Sequence, residues 1–189
     1  MSVERTTVAG HELRRATFAD LPAIGPLIAA SARELSRGDY TPEQVEGALR
    51  GAFGTDTQLI RDGTYFVIEA ADRLAGCGGW SRRRTLFGGD ARTDRDATEL
   101  DPARDAAKIR AFFIHPDFAR RGLGTRMLER CEQDAMAHGF TRFELMATLP
   151  GVRLYAARGY LPGECIEWPI APGLSIPFVS MSKSAGPPR

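Results

Sequence analysis

Apolar positions recur along this chain with two periods, and the switches between them mark out its elements. Leu21, Ile24, Leu27 and Ile28 fall at helical spacing behind the start signal Thr17-Phe18-Ala19-Asp20. A second helix opens at Thr41-Pro42-Glu43-Gln44, with threonine at the cap and proline at the first helical position. It runs to about Arg50, with Val45, Ala48 and Leu49 inward. A short strand over 11–16 precedes both helices. After them, 64–70 (TYFVIEA) and 74–81 (LAGCGGWS) read as consecutive strands around Ala71-Asp72-Arg73. Gly76, Gly78 and Gly79 weaken the second of these unless something comes close to it.

The most apolar run follows: Ile109, Ala111, Phe112, Phe113 and Ile114 make a strand that Pro116 and Asp117 stop. Leu123, Met127, Leu128, Cys131 and Ala135 then share one helical face, ending at Gly139. Residues 140–147 alternate like a strand, and Leu149-Pro150 open a short helix that stops at Gly159. Residues 168–183 read as a hairpin with Pro172-Gly173 at the centre of a type II turn. The terminal Gly-Pro-Pro-Arg reads as frayed. Between the strand ending at Ser81 and the apolar run lies a polar stretch, residues 83–107, in which aspartates and arginines alternate. Loops beyond ~12–15 residues are uncommon, so this one is expected to be a solvated, mobile excursion or a lid.

Composition narrows the picture in a few places. The 189 residues suit one domain, and no internal repeat or second boundary is visible. A formal net charge of +1 gives no electrostatic case for nucleic acid or an anionic membrane as partner. The polar start MSVERTTVAGHELRR has no signal-peptide hydrophobic region, and no stretch resembles a membrane span. Cys77, Cys131 and Cys165 are scattered with no C-x-x-C, which predicts buried free thiols rather than disulfides or a metal site. A cytoplasmic location is expected.

Candidate chemistry gathers where the apolar strand meets the next helix. Strand, glycine loop and helix start aim several backbone N–H groups and the positive helix end at one point, which suits phosphate. Gly122 and Gly124 let the loop bend and an anion approach its backbone. Leu123 lies between them, Thr125 adds a hydroxyl, and Arg120, Arg121 and Arg126 add positive charge. A dinucleotide fingerprint wants a third glycine where Met127 stands, and a P-loop wants a lysine that is missing. A tight turn capping a core helix is the alternative.

The stretch HPDFARRGLGTRML resembles the coenzyme A pyrophosphate loop of the GNAT N-acetyltransferases, Gln/Arg-x-x-Gly-x-Gly/Ala. LYAARGY, from Leu154 to Tyr160, is similar to that family's Leu-Tyr-x-x-x-Gly-Phe/Tyr. Two signatures in order are far more specific than either alone. The departures are Ala119 at the Gln/Arg position, and Thr148 and Gly151 where Asn and Ala are common. The resemblance implies an α/β (α+β) fold: a single GNAT-type acyl-CoA N-acyltransferase domain over 11–184, its mixed central sheet flanked by helices, with 83–107 inserted.

It also implies roles. Acetyl-CoA is the cosubstrate, held by Phe113, Ile114 and residues 120–126; the strand backbone runs beside its pantetheine arm. The Phe112 N–H is the implied donor to the acyl oxygen, and the Tyr155 hydroxyl the implied acid for the leaving thiolate. Tyr40, between the first two helices, is expected to shape the substrate pocket, or else merely to pack there. The acceptor is expected to be a small-molecule amine, and a homodimer is allowed. The general base is left open. Lys108 stands where some members carry glutamate, and Glu144, His115, Glu99, Asp105 and a water chain remain candidates. A non-catalytic acyl-CoA sensor of the same fold is the competing expectation.

Overall fold

The computed structural model describes residues 6–8 and 10–185; the Gly-Pro-Pro-Arg tail lies outside them. Its frame is one eight-stranded sheet. The strands are β1 (Thr6–Val8), β2 (His11–Arg15), β3 (Tyr65–Ala70), β4 (Arg73–Ser81), β5 (Ala107–Ile114), β6 (Arg142–Thr148), β7 (Leu161–Ala171) and β8 (Leu174–Ser184). They lie in the order β1-β2-β3-β4-β5-β6-β8-β7. Every neighbouring pair is antiparallel except β5 and β6. Helices α1 (Leu21–Leu35), α2 (Pro42–Leu49) and α3 (Thr57–Arg61) cover one face, and α4 (Leu123–Ala137) and α5 (Val152–Ala156) belong to the other. The mixed sheet with helices on both faces is the architecture the resemblance implied.

The two faces build separate cores. Phe66, Trp80, Met127 and Phe143 pack on the α4 side, while Ile24, Leu59, Val67 and Phe178 pack under α1 and α2. Fully burying one such side chain contributes about 1.5–3 kcal/mol. Thr41 caps α2 as its sequence announces, accepting from the Gln44 N–H. The five-residue α3 escapes sequence reading because it is too short to show a period; it buries Leu59 and Ile60. Strand β7 begins at Leu161, earlier than the hairpin pattern shows, and Cys165 on it is exposed. Cys77 and Cys131 are the buried free thiols expected, and burial pushes the Cys77 thiol up to about 12.

Two features of β5 open the sheet at its centre. Its parallel pairing with β6 has only the rungs Ala107↔Phe143 and Lys108↔Glu144, after which the strands part. Lys108 Nζ lies 2.5 Å from Glu144 Oε2 across the last rung, so the lysine closes the narrow end of the wedge. Against β4 the register slips by one residue. Arg110 faces Gly79 and Phe113 faces Cys77, leaving Ala111 and Phe112 together opposite Gly78. Ala111 takes φ 53, as a bulge residue. Gly78 is where the Phe112 ring sits: a Cβ there would lie 2.6 Å from two ring carbons. The weak glycines of β4 therefore mark a close approach, as the sequence left open.

The polar insertion is packed, against the expectation of a solvated excursion. Its ends run side by side through Arg84 N–H to Thr98 O at 3.0 Å and Leu100 N–H to Arg82 O at 2.8 Å. Phe87 stacks edge-on against Trp168 at 4.8 Å, and the Arg92 guanidinium covers both rings. Beneath, fully buried Asp56 holds Arg95 at 2.7 Å and Arg110 at 2.6 Å. Arg92 and Arg95 are partly buried partners, while Asp94, Glu99, Asp101 and Arg104 stay exposed, and the one aromatic anchor has no pattern to announce it. Asp56→Asn keeps the shape but leaves two guanidinium groups short of a carboxylate. Breaking a buried pair from one side costs about 3–5 kcal/mol, so the urea midpoint is expected to fall accordingly. An unchanged midpoint would show that the insertion is held by its aromatic contacts alone. Among the described residues no helix is long and apolar enough to cross a membrane.

Candidate active site

The glycine loop joins the outer end of β5 to α4, as its sequence order dictates. Arg120 at φ 59 and Gly122 at φ 78 turn the chain through left-handed positions. Gly122 is the N-cap of α4, so no side chain caps the helix. The first N–H groups of a helix have no partner within it. Here those of Leu123, Gly124 and Thr125 are left for an external acceptor, while the Arg126 N–H already bonds Gly122 O at 3.1 Å. Gly124 faces Leu154 and Ile114, and a Cβ on it would lie 3.1 Å from Leu154 Cδ2. The loop is thus a cradle of amides that a side chain would begin to fill.

That cradle is one wall of a cleft of about 560 Å³. Phe112, Phe113 and Ile114 of β5 line it, with Arg120, Gly122, Leu123, Gly124 and Thr125 of the loop and Tyr155 of α5. Arg121 and Arg126 are not in its lining. The Arg121 guanidinium lies over the Phe118 ring at 5.6 Å, and Arg126 is 3.9 Å from Glu129 on the exposed side of α4. Two arginines that sequence reasoning did not single out line it instead, Arg37 after α1 and Arg153 at the start of α5. Arg153 stands one residue before LYAARGY, a signal that was available.

Tyr155 stands at the inner end, 7 % exposed, with ring centroids 6.2 Å from Phe112 and 5.8 Å from Tyr160. Burial, with a smaller effect from Cys131, holds its phenol well above the ordinary range, so it stays protonated at neutral pH. A second cavity of about 70 Å³ adjoins the cleft along β5. It shares Phe53, Phe112, Phe113, Thr148 and Tyr155 with the cleft. The two spaces therefore meet at Phe112 and Tyr155. Phe112 itself is outside the β4 register and past the last β6 rung.

The candidate bases are not brought to this meeting point. Glu144 is paired with Lys108, Glu99 with Arg82 and Arg83, and Asp105 accepts from the Asp101 N–H. His115 caps the short turn that follows β5. None of the four lines either cavity; Asp39 is the one carboxylate among the described residues that lines the cleft. Tyr40 is not in the lining either. It is 8 % exposed, donates to Pro177 O at 2.7 Å and accepts from the Leu149 N–H at 2.8 Å. From there it bolts the link between α1 and α2 to the ends of β6 and β8, so its hydroxyl is already used. No group of three or more His, Cys, Asp or Glu among the described residues is arranged to hold a metal ion.

The profile of the Acetyltransferase (GNAT) family matches residues 30–160. Solved structures share the whole fold at low identity. A GCN5-related N-acetyltransferase from Rhodopseudomonas palustris is 19% identical, with a TM-score of 0.68 over 97% of this chain and 98% of that one. The PaiA N-acetyltransferase of Thermoplasma acidophilum, solved in complex with coenzyme A, is 13% identical, with a TM-score of 0.60 over 92% and 98%. The ribosomal-protein-S18-alanine N-acetyltransferase of Escherichia coli is 14% identical, with a TM-score of 0.58 over 95% and 96%. No curated protein sequence matches the chain. With the family profile spanning both signatures, the glycine loop and LYAARGY, and the sheet opened between β5 and β6, the chain belongs to the GNAT acetyltransferase family.

Proposed function

We propose that this protein is an acetyl-CoA-dependent N-acetyltransferase that moves an acetyl group directly to the amine of a small molecule. One observation carries the proposal: a second, smaller cavity adjoins the cleft along β5, and the two share Phe112 and Tyr155 in their linings. A sensor of acyl-CoA needs only the first. The loop amides of residues 123–125 suit the pyrophosphate, with Arg120 and Arg153 beside them, and the PaiA relative was solved with coenzyme A. Coenzyme A supplies the acetyl group as a thioester. The Phe112 N–H is the assigned donor to the acyl oxygen as it gains negative charge. Removing one such donor in other enzymes costs on the order of 10²–10³ in rate. The Tyr155 hydroxyl donates to the departing sulfur. A second cavity of about 70 Å³ takes a compact acceptor rather than a protein chain. The buried free thiols Cys77 and Cys131 suit a reducing compartment, and we assign the cytoplasm.

No candidate carboxylate or imidazole reaches the junction, so the amine must arrive neutral or lose its proton to water. A panel of small amines, assayed for free-thiol release from acetyl-CoA, is expected to yield at least one substrate whose rate climbs as pH approaches that amine's own pKa. Tight acetyl-CoA binding with no thiol release from any amine would overturn the transferase reading in favour of the sensor.

A further inference from the structure

We infer that the Tyr40 hydroxyl caps the helical segment that carries Tyr155, which makes Tyr40 a positioning residue for the acid. The inference rests on the transferase reading above and adds a residue that acts through Tyr155. The segment runs from the turn Leu149–Gly151 straight into α5. The first N–H groups of a helical start need a partner from outside it. Thr148, at the cap position, makes no side-chain bond to them. Tyr40, 109 positions earlier in the chain, supplies one instead: its oxygen accepts from the Leu149 N–H at 2.8 Å. The same hydroxyl donates to Pro177 O at 2.7 Å, so its proton is spent on β8 and its oxygen is left to the amide.

Placement at this end is passed to Tyr155 by contact. Gly151 closes the turn, and a Cβ on it would lie 3.3 Å from Tyr155 Cε2 and 3.1 Å from Thr148 Oγ1. The Tyr155 ring therefore rests on the turn that Tyr40 holds. Helix α5 has only five residues, too few to keep a helical shape alone, so what grips its ends sets its place. At the far end the Arg158 and Tyr160 N–H groups bond Tyr155 O at 2.9 and 3.1 Å. At the near end the grip is Tyr40, a buried side chain packed in the core under α1 and α2. Tyr40 also closes the link between those helices, where Ser36, Arg37 and Asp39 line the cleft, through its N–H to Ser36 O at 3.1 Å. One residue thus ties the α1 wall of the cleft, strand β8 and the start of the acid's segment together.

The test is a double-mutant cycle in the thiol-release assay, with an acceptor from the amine panel. Tyr40→Phe keeps the buried ring and removes the hydroxyl. It is expected to lower kcat by about tenfold or more, because a reacting group held out of place loses rate steeply, with the acetyl-CoA dissociation constant nearly unchanged. In the Tyr155→Phe background the same substitution should lower kcat by no more than about twofold, because the group it positions is already gone. A hydrogen bond that only secures the fold gives the same loss in both backgrounds. Equal losses, or wild-type kcat in Tyr40→Phe, overturn the inference and leave Tyr40 as a bolt between elements. The cap is also read in wild-type protein, whether or not the variant folds. The Leu149 amide is expected to exchange with solvent as slowly as the paired amides of β6, resolved by NMR. Free exchange at Leu149 overturns the inference by itself. No thiol release by wild-type protein from any amine overturns the transferase reading and this inference with it; wild-type turnover with equal losses in the two backgrounds overturns only the inference.

Discussion

Gly124→Glu is expected to abolish coenzyme A binding and leave the fold standing. The position is in the first turn of α4, where the backbone is ordinary helix, so a side chain meets no conformational strain. A glutamate there is favourable to the helix itself, both as a better helix former than glycine and as a negative charge near the N-terminus. The obstacle is local. The new Cβ lies 3.1 Å from Leu154 Cδ2, a methyl that can shift by a few tenths of an ångström. The rest of the side chain then extends into the cleft among the amides of residues 123–125. Two like charges about 5 Å apart repel by about 3 kcal/mol at an effective dielectric of about 20, already more than a hundredfold in affinity, and steric exclusion adds to it. The measurement is calorimetric titration with acetyl-CoA beside a thermal melt. Unchanged affinity in a folded variant would remove this loop as the phosphate site.

How much of this site can be read in the sequence depends on how local each part is. The anion cradle is backbone, built within a few residues, so Gly122, Gly124 and the helix after them announce it. The close approach at Gly78 is half legible. The missing Cβ shows that something comes near, while only the register slip at Ala111 shows that it is the Phe112 ring. The acceptor side is not local at all. Asp56 and Arg110 are 54 positions apart (110 minus 56), and Phe87 reaches Trp168 from the far end of the chain. Nothing in the neighbourhood of any of them carries the pairing. That is why a polar insertion full of alternating charges reads as wholly solvated, although Arg83 and Arg95 within it are spent on the buried carboxylates of Asp62 and Asp56. Tyr40 illustrates the same limit: its position between two helices is visible, but the two hydrogen bonds that occupy its hydroxyl come from β8 and from the turn after β6. Arg121 and Arg126 show the opposite case: they are sequence neighbours of the cradle, yet their side chains lie over Phe118 and beside Glu129 rather than in the cleft lining.

Tyr155→Phe separates the chemistry from the binding. The substitution removes one hydroxyl and keeps the ring between Phe112 and Tyr160, so stability should change little. Burial already favours the neutral phenol, and the same dry environment disfavours a free thiolate at the junction. A hydroxyl donor is therefore most effective when the sulfur begins to carry charge, and less effective while the thioester is intact. An interaction made mainly in the transition state lowers kcat and kcat/KM together when it is removed. If Tyr155 is the acid, kcat falls by roughly 10²–10⁴ with little change in the acetyl-CoA dissociation constant. If the hydroxyl only bonds the bound coenzyme, affinity weakens by ~0.5–1.5 kcal/mol and turnover at saturation is preserved. Both quantities must be measured with an acceptor from the amine panel. A Phe variant with wild-type kcat would take Tyr155 out of the chemistry. The Phe112 amide would then be the only group at the junction with an assigned part in the transfer, and catalysis would rest on backbone geometry alone.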